Sequence, residues 1–149
     1  MKLLNIFIWI YANIDLWLAI QKAEKAYRGE YVIGENADKS PRYLVKNTRY
    51  YVMPDENSKL IIMHRRNMHR LRVKGVMSNE AKVKHLLRES FYFTPDGSGN
   101  KIPDELKAYK RKKYIEYSIT MFHRRREEKR RMRLLSRKIK KTKNKHGLH

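Results

Sequence analysis

Pro103-Asp-Glu-Leu-Lys-Ala-Tyr-Lys-Arg-Lys-Lys-Tyr-Ile-Glu-Tyr-Ser-Ile-Thr-Met-Phe122 runs directly into His123-Arg-Arg-Arg-Glu-Glu-Lys-Arg-Arg-Met-Arg-Leu-Leu-Ser-Arg-Lys-Ile-Lys-Lys141. This stretch reads as one long helix. Proline suits the first turn, where its missing N–H is no loss, and Asp104 and Glu105 face the positive end of the helix dipole. No further proline or glycine occurs until Gly147. At ~1.5 Å per residue the helix would be a rod on the order of 50–60 Å long, more than a small domain buries.

Its two halves differ. Leu106, Tyr109, Ile115, Ile119 and Phe122 recur at three- and four-residue steps, with Tyr114 and Met121 alongside, which predicts an apolar stripe seeking a partner. From His123 to Lys145 there are 13 Lys/Arg against 2 Glu, a net of +11 out of the chain's +21. Glu127 and Glu128 can pair one turn away with Arg124 or Arg131, at a few tenths of a kcal/mol each, so pairing within the helix leaves the segment strongly positive. Met132, Leu135 and Ile139 keep a thin helical stripe. An arm of this kind fits phosphates, and arginine forks onto phosphate better than lysine. Anionic lipid and plain solvent are the competing environments.

Charge rises along the chain: residues 1–40 carry five basic and five acidic side chains, residues 41–122 carry 18 and 8. A pI near 10.3 points to a polyanionic partner acting on the middle and the end. The 149 residues suit one domain with a tail, and 41% hydrophobic residues suffice for a small core. With no cysteine there are no disulfides, thiolate metal sites or cysteine nucleophiles.

At the other end, Leu3-Leu-Asn-Ile-Phe-Ile-Trp-Ile-Tyr-Ala-Asn-Ile-Asp-Leu-Trp-Leu-Ala-Ile20 is almost wholly apolar. Gln21 to Arg28 turns amphipathic, and Gly29 is a stop. Three readings compete. A secretory signal lacks its small-x-small cleavage site. A membrane span would carry Asn5, Asn13 and Asp15 inside it, with Lys22, Lys25 and Arg28 holding its far end in the cytoplasm. The favoured reading is a helix packed on a core or partner, with Trp9 and Trp17, eight apart, as docking anchors. Glu30 to Pro41, with Gly34 and Ser40-Pro41, reads as a linker.

Arg42 to Met63 reads as a small antiparallel meander: Tyr43-Leu-Val-Lys46, Arg49-Tyr-Tyr-Val-Met53 and Lys59-Leu-Ile-Ile-Met63, with a hairpin loop at Pro54 to Ser58. It needs a helix on one face, and the Leu106–Phe122 stripe is the candidate. Next comes a basic helix from His64, with Arg65, Arg66, Arg70, Arg72 and Lys74, then Gly75, then Ser78 as N-cap of a second helix, Asn79 to Ser90. Val83, Leu86 and Leu87 form its inner face, with Lys82, Lys84, His85 and Arg88 outside. Helix, glycine turn, helix resembles a helix-turn-helix over about 28 residues. Val83 falls one or two positions late and the turn is long, so ordinary packing with a phosphate-facing basic side is preferred over groove reading. Tyr43, Tyr50, Tyr51, Phe91, Tyr92 and Phe93 lie among basic residues and could stack bases, although strand aromatics more often fill a core.

Catalytic signatures are weak. Asp96, Ser98 and Asn100 alternate like calcium ligands, but Lys101 and Lys107 occupy positions where glycine and glutamate are needed, leaving a Gly-rich turn. A metal-dependent nuclease pattern occurs twice, as Pro54-Asp55 with Glu80-x-Lys82 and as Pro95-Asp96 with Glu105-x-Lys107. Two hits in a lysine-rich chain match chance, and Glu80 and Glu105 fall at helix starts where a strand is required. His64 and His69 read as phosphate- or solvent-facing, since the histidines lack the spacing of a zinc site.

The expectation is therefore an α+β protein: an apolar N-terminal helix (1–29), a linker (30–41), a small domain of β-meander and two short helices (42–122), and a basic helical tail (123–149). Its expected function is non-catalytic nucleic-acid binding without a cofactor or small-molecule substrate. Arg124, Arg125, Arg126, Arg130, Arg131, Arg133, Lys138, Lys140 and Lys141 would supply affinity. Arg65, Arg66, Arg70, Arg72 and Lys74 would supply a second contact, and Asn79, Lys82 and Lys84 any specificity. DNA and RNA both remain open as ligands. The expected location is cytoplasmic, with membrane association or a nucleoprotein particle as the alternative. The rival function is a structural subunit or membrane-associated adaptor docked through residues 3–28.

Overall fold

The computed structural model describes residues 3–73 and 82–145, with backbone alone for 69–71. The protein is α+β: helix α1 (Leu3–Tyr27), strands β1 (Val32–Glu35), β2 (Pro41–Tyr43), β3 (Tyr50–Pro54) and β4 (Leu60–His64), a 3-10 turn (Arg65–Asn67), α2 (Met68–Val73), α3 (Val83–Glu89), β5 (Tyr92–Phe93) and α4 (Asp104–Lys145).

The glycine stop of α1 is a Schellman cap. Gly29 has φ +74°, its N–H reaches Ala26 O at 3.0 Å, and Glu30 N–H reaches Lys25 O at 2.8 Å. The position has no room for a side chain either, because a Cβ there would lie 2.9 Å from Lys46 Cβ.

The segment expected as a linker instead forms the exposed β1–β2 hairpin, with Gly34 opposite Arg42 and an irregularity after Val32. Its turn residues explain the difference. Asn36 N–H bonds Ser40 O and Lys39 takes a left-handed conformation, closing a tight turn that satisfies backbone groups while burying almost nothing. The same turn recurs at Asp55–Lys59 and Asp96–Asn100, with Ser58 and Gly99 in the left-handed position. In those two, the aspartate side chain accepts backbone N–H groups: Asn57 and Lys59 on Asp55, Ser98 and Asn100 on Asp96. Both Pro-Asp pairs are thus turn openers. The strand expected over Tyr43–Lys46 stops at Tyr43, and Leu44 instead bonds back to Tyr31 O.

The central sheet has the order β4-β3-β5, all antiparallel. Tyr51 pairs with Met63 on one side and Phe93 on the other, and Val52 pairs with Ile62 and Tyr92. Val52 and Tyr92 share the face toward α1, where the Tyr92 hydroxyl donates to the Glu24 carboxylate. Tyr50, Tyr51, Tyr92 and Phe93 are all buried, so these four aromatics fill the core instead of forming a base-stacking platform.

The expected cover for the sheet is the apolar stripe of α4. Instead α1 packs on β3 and β4, and α4 lies antiparallel along α1, touching β5. Arg111 donates to Asn13 Oδ1 at 2.6 Å, and His123 and Asn5 meet at 2.9 Å near the start of α1. The inward line of α4 is rotated from the expected stripe. Lys110 and Tyr114 are buried, Leu106, Ile115, Tyr117, Ile119 and Met121 are half-buried, and Tyr109 and Phe122 are exposed. Burial ends at Met121 while the helix continues unbroken to Lys145.

The reason for the rotation is Lys110. Its Nζ donates to the carbonyls of Leu87 (2.8 Å), Arg88 (3.2 Å) and Ser90 (2.5 Å), at the C-terminal end of α3. Those carbonyls have no partner within their own helix, and a cation is favourable at that pole. An apolar residue there would leave them unsatisfied. Burial still holds the ammonium below the usual lysine range.

Candidate nucleic-acid interface

Beyond Met121 every residue of α4 through Lys145 is exposed, including Arg124, Arg125, Arg126, Arg130, Arg131, Arg133, Lys138, Lys140 and Lys141. The root of this arm is fixed. Arg125 donates to Asn57 O at 2.5 Å, tying it to the β3–β4 turn. Arg131 pairs with Glu127 at 2.8 Å, the one-turn pairing expected, and both side chains are well exposed to solvent. A pair so exposed adds little stability and leaves the arm's charge almost intact.

The arrangement around the helix is more ordered than composition indicates. Arg126, Arg130, Arg133, Arg137 and Lys141 recur at steps of four, three, four and four. They form a ridge about 22 Å long on one side of the helix. Met132, Leu135 and Ile139 form a narrow stripe away from it, also exposed. Arg137 is a member that the expected contacts leave out, although the spacing of the other arginines marks it. Neighbouring charges one turn apart lie inside the ~8 Å Debye length of physiological salt, so they repel with little screening. A row of phosphates relieves that repulsion and can accept bidentate arginine contacts.

The second expected patch is separate. Arg65 and Arg66 are exposed but stand at the end of β4 farthest from the Asn57–Arg125 contact, about 16 Å away at ~3.3 Å per strand residue. Arg72 is half-buried and already has a partner. Arg70 lies in α2, and its side chain is outside the described ones. Lys82 and Lys84 are exposed at the start of α3. Lys74, Gly75, Ser78 and Asn79, and with them the turn of the helix-turn-helix resemblance, lie outside the described residues. Of the expected inner face of the second helix, Leu86 is buried and Leu87 half-buried, whereas Val83 is exposed because it opens α3.

His64 corrects a further expectation. It is buried, with Nε2 2.7 Å from Thr48 Oγ1 and Nδ1 accepting the Arg66 N–H at 3.1 Å. Since Nδ1 accepts, the ring proton sits on Nε2 and the ring is neutral. Burial, with Arg66 and Arg65 nearby, lowers its pKa and reinforces that state. His64 therefore caps the 3-10 turn and faces neither phosphate nor solvent.

In the Gly-rich loop, hydrogen bonds from Asn100 and Ser98, with the Arg49 guanidinium 3.9 Å away, hold the Asp96 carboxyl below its ordinary value. Its oxygens are engaged within the loop. Among the described residues no group of three or more His, Asp or Glu is placed to hold a metal ion. Trp9 and Trp17, the expected docking anchors, are both exposed on α1.

No protein-family model, curated protein or solved structure matches this chain.

Proposed function

We propose that the protein binds nucleic acid without catalysis, through the exposed arm of α4 laid along phosphates. The observation that carries this reading is the arm itself: helix continuing past the last half-buried residue, Met121, with 13 Lys/Arg and 2 Glu between Arg124 and Lys145. Nothing in the core needs those residues, since the fold closes with Tyr114, Tyr117 and Met121. Arg126, Arg130, Arg133, Arg137 and Lys141 supply the main contacts. Arg124, Lys138 and Lys140 flank them, and Arg65, Arg66, Lys82 and Lys84 engage only a ligand long enough to reach round the sheet.

Fluorescence anisotropy of the full chain on duplex DNA, single-stranded DNA and structured RNA, over a salt series, tests this. Replacing Arg126, Arg130, Arg133 and Arg137 by glutamine should flatten the salt slope on duplex by about 3.6, at ~0.9 for each phosphate no longer neutralised. Affinity should fall similarly for unrelated sequences, because phosphate contacts carry no sequence information. A slope unchanged by the four substitutions sinks the proposal.

A further inference from the structure

Among the described residues, the outer face of α1 is left largely uncovered, and it has no role in phosphate binding. Leu3, Ile6, Phe7, Ile10, Ile14, Trp17 and Leu18 all point outward and are exposed. They make a continuous apolar strip about 24 Å long, at ~1.5 Å per residue, without a polar side chain along its centre. Trp9 and Tyr11, also exposed, border it on either side.

We infer that this strip is a membrane seat: α1 lies in the plane of an anionic bilayer, its outer face among the acyl chains and its inner face still packed on the sheet. Three observations favour lipid over other occupants. A protein partner of this area would be met by polar groups, at about one hydrogen bond per 100–200 Å², and the strip offers none. A second copy of the chain would bring two bodies of +21 into contact, whereas an anionic surface attracts them. The surroundings of the strip are cationic where headgroups would lie. Lys22 and Lys25 are exposed at its C-terminal end, and Lys107 and Arg111 line a groove with Ile14 and Trp17. Tryptophan and tyrosine at the margins suit the interface between acyl chains and water.

By length and composition α1 could instead cross the bilayer. Its contacts oppose that. Ala12, Leu16, Ala19, Ala23 and Ala26 are buried in the core cluster, Asn13 is bonded to Arg111, and Glu24 to Tyr92. Spanning would break all of these, while lying flat keeps them.

The chain's two tryptophans both sit on this helix, so intrinsic fluorescence reports directly on the seat. The full protein would be titrated with vesicles of phosphatidylglycerol and phosphatidylcholine, and with phosphatidylcholine alone. Trp9→Phe and Trp17→Phe variants would be quenched by lipids brominated at known depths. The expected result is a blue shift on the anionic vesicles, with Trp17 in the strip deeper than Trp9 at its margin and both short of the bilayer centre. Ile10→Ser, Ile14→Ser and Trp17→Ser together, read by flotation, should weaken partitioning roughly 100-fold or more. The four-arginine arm variant should keep the blue shift at saturating vesicle concentration.

Several outcomes overturn the inference. Emission indifferent to vesicles would mean the strip belongs to a protein partner. A shift already present without lipid and growing with protein concentration would mean a second copy covers it. Both tryptophans quenched most strongly by bromines near the bilayer centre would mean the helix spans, because residues 9 and 17 then lie on either side of the middle of the apolar run. None of these touches nucleic-acid binding, which is measured without lipid.

Discussion

The two long helices invert each other. Helix α1 is apolar on every side, yet it buries its smallest residues and exposes its largest: Ala23 is 0% exposed and Trp17 is 59% exposed. Helix α4 is polar over most of its length, yet one of its two most buried residues is Lys110, only 3% exposed. Hydropathy alone ranks these positions wrongly. Shape decides α1, since alanines let the helix axis approach the sheet and larger side chains there would hold it off. Unpaired carbonyls decide α4, since the Lys110 ammonium completes the end of α3.

The largest effect should come from giving α1 the bulk its inner face excludes. Ala23→Leu forces a branched side chain into a site with no space and should destabilise by about 3 kcal/mol, toward the upper end of overpacking. For a chain of this size that lowers Tm by about 10 °C in a thermal melt. A Tm within a degree or two of the parent would show that α1 sits farther from the sheet than the buried alanines indicate.

Next is Lys110→Met, which keeps much of the volume and removes the donor. Three carbonyls are left without their partner, and the expected loss is about 2 kcal/mol by chemical denaturation, less than three full penalties because water can reach some of them. A pH series sharpens the test. The folded pKa of Lys110 is lowered by burial, so the unfolded chain holds that proton more tightly. Stability of the parent should therefore rise with pH between the lowered folded value and the ordinary lysine value of about 10.4. The gap between parent and Lys110→Met should widen over that window; a gap that narrows would mean that the carbonyl hydrogen bonds outweigh the burial.

The same contrast explains what was legible in the sequence. Helices α1 and α4 and strands β3 and β4 follow from composition and periodicity, because Leu3–Ile20 and Asp104–Lys145 contain no internal glycine or proline and Tyr50–Met53 is β-prone. Which face turns inward was not legible. In α1 both faces are apolar, so the helical period has no preferred phase, and only the recurrence of alanine at 12, 19, 23 and 26 marks the inner side. In α4 the step from Leu106 through Lys110 to Tyr114 stays hidden because a lysine ordinarily faces solvent. The β1–β2 hairpin escapes because its strands bury nothing, leaving only the backbone preference of Asn36–Ser40 to signal it. For the candidate interface, the charge of the arm is plain from counting, while the ridge through Arg137 requires placing residues on a helix.

A smaller effect is expected where α1 ends. Gly29→Ala places a Cβ in a left-handed conformation and against Lys46, and should cost about 1–2 kcal/mol. The nearest atom is Lys46 Cβ, which moves only with its backbone, so the clash adds to the strain of the left-handed conformation. Asn at the same position tolerates positive φ better and should recover part of the loss in the same melts, separating backbone strain from the clash.

The smallest effect is the most informative. Trp17→Ser removes one of the two bulkiest side chains of α1 and should change stability in lipid-free buffer by no more than about 0.5 kcal/mol, as at an ordinary surface position. On size and hydropathy alone it would rank among the most damaging substitutions in the chain. Ala23, with one of the smallest side chains, is expected to be the sensitive position instead. If Trp17→Ser destabilises as strongly as Ala23→Leu, the outer face of α1 is already packed against something in the isolated protein, and the division of that helix into a core face and a free face fails. If it is neutral in buffer but lowers partitioning onto anionic vesicles, the large apolar residues of α1 serve a surface outside the fold, as the arginines of α4 do under the nucleic-acid proposal.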